Sequence, residues 1–142
     1  SSAYALRALA ALAARPDVDD SRLSVIGKGN GGVIALFAAA LEPRIRKVAC
    51  ERSVISYLAI ARARIHENAP DLVIPGVLRE FDLPDVVRLV SPRPVWLVNP
   101  ATPAGGRAME SDARSAYGPA VTIVDRPDGW PADKVYGAFL DR

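Results

Sequence analysis

Apolar residues recur with two different spacings along the chain, and these spacings predict alternating strands and helices. Short apolar runs rich in β-branched residues are typical of buried strands in a parallel sheet. Longer stretches with apolar residues three or four positions apart predict helices. The predicted strands are 23–26, 45–51, 95–99 and 121–125. The predicted helices are 3–14, 32–41, 53–65, 81–90, 107–117 and 132–140.

This alternation predicts the fold class: an α/β protein, built as a three-layer α/β/α sandwich with about four parallel strands. A chain of 142 residues is the usual size of one domain, so we expect a single domain over residues 1–142. The sequence begins at Ser1 inside a helical pattern, without a start methionine. We therefore expect a processed, trimmed or truncated boundary, and possible origin as a fragment of a longer chain.

Composition and charge narrow the classes of partner. The formal net charge is only +2, and the basic residues are scattered among acidic ones, which argues against a nucleic-acid partner. No apolar run reaches the length of a membrane-spanning helix, so no membrane partner is expected. One histidine and one cysteine nearly exclude a zinc site of usual make-up, and we expect no metal and no other cofactor. The sequence assigns no cellular compartment.

Four glycines are concentrated between the first predicted strand and a helix that is apolar on all sides. Gly27, Gly29 and Gly32 match the pattern G-x-G-x-x-G, which is typical of a turn that holds a dinucleotide pyrophosphate. Glu51 ends the next predicted strand, where an acidic residue would bind the ribose hydroxyls. If Glu51 has no such role, it is expected to pair with Arg52 or Lys47.

The same stretch also has the frame of a nucleophile elbow, the strand–turn–helix motif G-x-S-x-G. Gly27, Lys28, Gly29, Asn30 and Gly31 fill its five positions, with Gly29 in place of the serine. The flanking glycines suit the steric crowding of such an elbow. This second interpretation implies a hydrolase rather than a dinucleotide-binding module.

Three further segments decide between these interpretations. Residues 15–27 resemble the helix and loop that lead into the elbow strand of α/β-hydrolases. Residues 81–87 and 91–100, preceded by a Pro-Gly pair within 75–78, resemble a segment of acetyl-xylan-esterase-like α/β-hydrolases. The resemblance covers nearly the whole chain, and it implies the C-terminal half of an α/β-hydrolase fold.

The resemblance also implies where a catalytic triad would lie. The nucleophile position falls on Gly29, the acid near Thr102 and the histidine near Asp128, and none of the three holds the required side chain. The serine, histidine and acid that a Ser–His–acid mechanism requires are then absent from these positions. We therefore expect an esterase-related domain with a degenerate triad. The alternatives are an active carboxylic or acetyl ester hydrolase that uses non-standard residues or a partner chain, and a dinucleotide-binding module. Ser53, Ser56 and His66 are candidates for the non-standard residues.

A ligand site and a partner surface complete the expectations. Backbone N–H groups at a helix N-terminus favour anions, so an anion or small ligand is expected at the turn. The predicted strand 23–26 would be an edge, and this favours a homodimer, or association with a missing N-terminal part of the fold. The candidate ligand-binding residues are Gly27, Lys28, Gly29, Asn30, Gly31 and Trp130.

Overall fold

The molecule is built on one parallel sheet flanked by helices. The computed structural model describes residues 22–54, 83–102 and 104–140, together with residues 11 and 16. In chain order, the elements are β1 (Leu23–Lys28), α1 (Asn30–Leu41), β2 (Ile45–Glu51), α2 (Leu83–Val90), β3 (Val95–Val98), α3 (Glu110–Tyr117), β4 (Thr122–Val124) and α4 (Ala132–Leu140). A 3₁₀ turn, Gly118–Ala120, joins α3 to β4.

The four strands lie side by side in the order in which they occur along the chain, β1-β2-β3-β4, and every pair is parallel. Within the described residues, β1 is hydrogen-bonded to β2 alone, and is therefore an edge strand. All four strands point their carboxyl ends in one direction. In an open parallel sheet, this end of the strands is where ligands bind.

Two apolar clusters cover the two faces of the sheet, which confirms the predicted three-layer α/β/α sandwich. On one face, α1 and α2 pack against the strands, and α1 can be apolar on nearly all sides because it is buried. On the other face, α4 contributes Val135, Tyr136 and Phe139. The ring of Phe139 lies 5.3 Å from that of Trp96 between centroids, which fixes α4 across β3.

Several element boundaries differ from those predicted. β1 continues to Lys28, and α1 begins at Asn30, so one residue makes the turn. Helix α3 begins at Glu110 rather than at Arg107 because Arg107 forms an isolated antiparallel bridge with Ala101. The predicted strand 121–125 is shorter, Thr122–Val124, and β3 ends at Val98.

Some predictions fall outside the described residues: nearly all of the helices over 3–14 and 53–65, the start of the helix over 81–90, and the residues Ser56 and His66. In the part of the chain that is described, no helix is long and apolar enough to cross a membrane.

Candidate functional site

A single residue, Gly29, turns the chain from β1 into α1. Its φ of 55° and ψ of −125° are accessible to glycine and disfavoured for other residues. The Gly29 N–H donates to the Glu51 carbonyl at 2.8 Å, and the Gly29 carbonyl accepts from the Ser53 hydroxyl at 2.9 Å. The turn is therefore fastened to the carboxyl end of β2.

The other glycines of the turn differ in how closely their neighbours approach. A Cβ on Gly27 would lie 2.2 Å from the Gly31 carbonyl oxygen, and a Cβ on Gly32 would lie 1.9 Å from the Ser53 Oγ. Close packing of strand, helix and β2 thus requires glycine at both positions. A Cβ on Gly29 or Gly31 would meet no described atom within 4 Å. The two open positions face free space at the start of α1.

Two neighbouring cavities occupy the carboxyl ends of the strands, and we call them together the strand-end cleft. The first cavity has a volume of about 300 Å³ and the second about 310 Å³. Arg52 and Asp128 line both cavities. The other residues of the first cavity are Lys28, Glu51, Arg126, Pro127, Gly129 and Trp130. The other residues of the second are Asn99, Ala101, Gly105, Gly106 and Arg107.

Glu51 is a buried carboxylate at the floor of the cleft, with only 3% of its surface exposed. Arg126 Nη1 donates to Glu51 Oε1 at 2.8 Å and to Oε2 at 3.0 Å, and the Tyr136 hydroxyl donates to Oε2 at 2.7 Å. The Lys28 ammonium is 3.8 Å from the same Oε2. Burial acts to raise the pKa of Glu51, but the Tyr136 hydrogen bond and the two cations together lower this pKa below its ordinary value.

These contacts correct two expectations about Glu51. Its partners are Arg126, Tyr136 and Lys28, and the expected pairing with Arg52 or Lys47 is wrong. Lys47 instead donates to the Phe139 carbonyl at 2.7 Å. A carboxylate this buried, and engaged by two hydrogen-bond donors, does not fit the role of a ribose ligand.

Arg126 connects Glu51 to the turn that follows β4. Its Nε and Nη2 donate to the Trp130 carbonyl at 3.0 and 2.9 Å, while its Nη1 contacts Glu51. The residues between Arg126 and Trp130 are thereby closed into a loop beside the cleft. Burial first, and then the hydrogen bond to Glu51, raise the pKa of Tyr136, so its hydroxyl stays protonated and donates.

Asn99 joins the loops that follow β3 and β4. It has a positive φ of 45°, a conformation in which asparagine is enriched among non-glycine residues. Asn99 Nδ2 donates to the Arg126 carbonyl at 2.8 Å, and the Arg126 N–H donates to Asn99 Oδ1 at 2.8 Å. Arg107 also donates to this Oδ1, and it forms an ion pair with Asp125 at 2.6 Å.

Asn99, Arg107 and Arg126 were not anticipated as site residues. An asparagine immediately after a strand is a signal that could have identified Asn99. No local signal identifies Arg126, because its partner Glu51 lies 75 residues away in the sequence.

The anticipated site residues are only partly brought together. Lys28, Asp128 and Trp130 line the first cavity, beside the turn that contains Gly29. Asn30 and Gly31 lie in the first turn of α1 and line neither cavity of the cleft. Thr102 is held in the loop after β3, where its N–H donates to the Gly106 carbonyl at 2.7 Å.

Cys50, the one cysteine of the chain, carries no reactive thiol into the cleft. Cys50 is buried, its thiol donates to the Gly32 carbonyl at 3.3 Å, and burial raises its pKa to about 12. Cys50 is therefore a small buried apolar residue and not a reactive thiol. Over residues 22–54, 83–102 and 104–140, no group of three acidic, histidine or cysteine residues could hold a metal ion.

Comparison of the sequence with known proteins points to esterases. The model of the acetyl xylan esterase (AXE1) family matches residues 3–67. The protein YtaP of Bacillus subtilis (strain 168), which is named as a hydrolase, is 29% identical over 107 residues, or 71% of this chain and 36% of YtaP. The chain thus spans little more than a third of the length of this curated relative.

Solved structures give the same fold. The acetyl xylan esterase from Paenibacillus sp. R4 matches with a TM-score of 0.66 and 18% identity, over 99% of this chain and 51% of that one. Acetyl xylan esterase 1 from Thermoanaerobacterium sp. JW/SL YS485 matches with a TM-score of 0.58 and 19% identity, over 98% of this chain and 50% of that one.

The fold and these matches define an α/β-hydrolase-fold protein. Within that class, the chain is similar in sequence and structure to acetyl xylan esterases, and it covers about half of each of the two esterase structures. The resemblance predicted from the sequence motifs is confirmed.

Proposed function

We propose that this chain is an esterase-related domain that has lost serine hydrolase chemistry and binds a small ligand in the strand-end cleft. In this proposal, the turn from Gly27 to Gly32 is a nucleophile elbow without a nucleophile. The observation that carries the proposal is the backbone of Gly29, with a φ of 55° and a ψ of −125° between β1 and α1. In α/β-hydrolases, the nucleophilic serine occupies a sharp, strained turn between a strand and a helix.

The chemistry of the surrounding residues supports the loss of activity. Gly29 has no hydroxyl to attack an acyl group, and Thr102 lies in a loop bonded to Gly106. Asp128 offers a carboxylate where the resemblance places the histidine, and a carboxylate is a weaker general base than imidazole at neutral pH. The chain has one histidine, His66, which lies outside the described residues.

The turn retains features that suit ligand binding. The N–H groups of Asn30 and Gly31 open a helix of 12 residues, and the macrodipole of such a helix favours negative charge at this end. Lys28 and Trp130 line the adjoining cavity. We therefore propose that the ligand contacts Lys28 and Trp130 in the first cavity, and that Gly27, Gly29, Asn30 and Gly31 form the turn beside it.

Hydrolysis of p-nitrophenyl acetate tests the loss of activity. We expect the wild-type protein to match the buffer rate, and the Gly29→Ser variant to stay near it because no imidazole is added. Adding both groups in Gly29→Ser/Asp128→His should raise the rate by about tenfold or more, since a general base contributes about 10²–10⁴-fold in efficient enzymes. The matched control is Gly31→Ser/Asp128→His, because Gly31 is equally open.

Rapid turnover by the wild-type protein would overturn this proposal. It would favour an ester hydrolase that uses non-standard residues or a partner chain. If the double variant with serine at position 29 gave no more turnover than its position-31 control, the interpretation of Gly29 as the nucleophile position would be wrong.

A further inference from the structure

The charged residues of the first cavity are unequally engaged. Three cations and two carboxylates line it. Arg126 is used entirely within the protein, because its Nη1 contacts Glu51 and its other two nitrogens contact the Trp130 carbonyl. Glu51 is neutralised in the same contacts. The charges left to face a ligand are those of Lys28, Arg52 and Asp128.

Arg52 is the best placed of these three. It directly follows β2, is exposed, and lines both cavities of the cleft. Its side chain forms no hydrogen bond or ion pair with any residue of the described segments. Its backbone has a φ of 53°, which is uncommon for arginine, and its N–H donates to the Val98 carbonyl at 2.9 Å. The backbone bond to β3 therefore holds Arg52 at the junction of the two cavities, with a guanidinium that pairs with no described residue.

Lys28 adds a second available cation. Its side chain is 67% exposed, and its one ion pair with a described residue is the 3.8 Å approach to Glu51. This distance is longer than a hydrogen bond, so the ammonium protons remain free to donate to a ligand. Lys28 and Arg52 lie at the ends of adjacent strands. Lys28 pairs in register with Glu51, the residue immediately before Arg52.

We propose that the strand-end cleft binds the carboxylate of a small monocarboxylic acid, with Arg52 as the main ligand-binding residue and Lys28 as the second. This inference rests on the ligand-binding part of the proposed function and names the class of ligand. The planar guanidinium of arginine matches a carboxylate with two parallel hydrogen bonds. Trp130, which is 44% exposed, supplies an apolar wall for the carbon skeleton.

Asp128 restricts the charge of that ligand. It lines the same two cavities as Arg52, so a ligand held by Arg52 lies near a carboxylate. Lys28, Arg52 and Asp128 together carry a net charge of +1, which a monoanion neutralises, whereas a dianion leaves one negative charge uncompensated. The cleft should therefore prefer a monoanion over a dianion such as hydrogen phosphate.

Titration of the folded protein with propionate, propionamide and inorganic phosphate, followed by amide NMR shifts, tests this inference. Propionamide has nearly the same shape as propionate but no charge. We expect propionate to bind with shifts at Arg52, Lys28 and the Trp130 indole, and to bind about tenfold or more tightly than either other probe, because charged hydrogen bonds are about twice as strong as neutral ones.

Three variants identify the residue responsible. Arg52→Gln should weaken propionate binding by about tenfold or more, since it removes the bidentate donor. The matched control is Arg88→Gln on α2, which removes an arginine that is 71% exposed and outside the cleft, and it should leave the affinity within about twofold of wild type. Should Arg52→Gln fail to fold, Arg52→Gly removes the same group at a φ that suits glycine.

The results separate this inference from the proposed function. Equal binding of propionate and propionamide in the cleft would overturn the carboxylate assignment and leave a ligand cleft in place. Tighter binding of phosphate would overturn the preference for a monoanion, and shifts confined to other surfaces would overturn the site. Failure of the proposed function would appear separately, as rapid wild-type hydrolysis of p-nitrophenyl acetate.

Discussion

At the scale of single residues, two non-glycine residues with positive φ border the strand-end cleft. Arg52 follows β2 with a φ of 53°, and Asn99 follows β3 with a φ of 45°. The left-handed conformation costs an ordinary residue roughly 1–2 kcal/mol, and asparagine tolerates it better than arginine. Such outliers are often found at functional sites, where the surrounding bonds hold them in place. Here the bonds to Val98 and Arg126 hold them.

We expect Arg52→Gly to stabilise the domain by about 1 kcal/mol, because glycine adopts this φ without a Cβ clash. Urea unfolding would show a higher midpoint with an unchanged slope. The control is Arg46→Gly, an exposed position inside β2 where glycine should destabilise by roughly 0.5–1 kcal/mol. A lower midpoint for Arg52→Gly would mean that the arginine side chain itself stabilises the fold.

The buried Glu51 depends on Arg126 more than on any other cation. Arg126 is 17% exposed and contacts both carboxylate oxygens, whereas Lys28 is more distant. Removing one partner of a buried ion pair typically costs about 3–5 kcal/mol. We expect Arg126→Gln to destabilise the domain by about 3 kcal/mol in urea unfolding.

The control for that variant is Arg88→Gln, which breaks an exposed ion pair with Asp85. Exposed pairs contribute about 0–1 kcal/mol, so its effect should be small. Similar losses for the two variants would show that the Glu51 pair contributes no more than a surface contact.

At the scale of secondary structure, β1 is the longer of the two edge strands in the described sheet, the other being β4. β1 pairs with β2 alone among the described strands, and Ile26 is 38% exposed. An apolar edge strand presents free N–H and C=O groups to another chain. We propose that β1 pairs with β1 of a second copy, which would make the domain a homodimer.

Sedimentation velocity tests the edge of the sheet. We expect the wild-type protein to sediment as a dimer, and Ile26→Lys to shift it toward monomer, because lysine on an edge opposes strand pairing. The control is Leu89→Lys, which adds the same charge at an apolar residue that is 55% exposed on α2. A monomeric wild-type protein would contradict the proposal and favour an N-terminal part of the hydrolase fold as the partner of β1.

At the scale of the whole molecule, the buried carboxylate of Glu51 at the floor of the cleft makes the stability of the domain depend on pH. Its pKa is lower in the folded protein than in the unfolded chain. The unfolded chain therefore takes up a proton first as the pH falls, near the ordinary glutamate value of about 4.3. The stabilising contribution of Glu51 is present above that pH and is lost as the pH falls through the lowered folded value.

We expect the stability of Glu51→Gln to fall less steeply than that of the wild-type protein below about pH 4.3. Urea midpoints measured from pH 7 to pH 2.5 would show this difference in slope. The control is Asp85→Asn, an acidic residue in an exposed ion pair. Parallel curves for Glu51→Gln and the wild-type protein would mean that this carboxylate does not control acid unfolding.

The limits of the buried elements were predicted closely from the local pattern of apolar residues. The limits of β2 and α4 agree with the predicted ranges, because buried apolar runs and helical spacing are set by neighbouring residues. The start of α3 and both ends of β4 differ from the predicted ranges. Helical spacing alone would place Arg107 in α3, but Arg107 instead forms a β-bridge with Ala101.

The sequence by itself determined the elements, their α/β order and the glycine turn. Crowding around Gly27 is encoded locally, because Gly31 and Gly32 follow it in the same turn, whereas the nearest neighbour of Gly32 is Ser53, beyond β2. Tertiary structure alone decided that Arg126 neutralises Glu51 across 75 residues, and that Arg52 lies between two cavities without pairing to any described side chain. The physical reason is that the strand order brings distant loops to one end of the sheet. There, the partners of a charge are set by proximity in space, and separation along the chain carries no information about them.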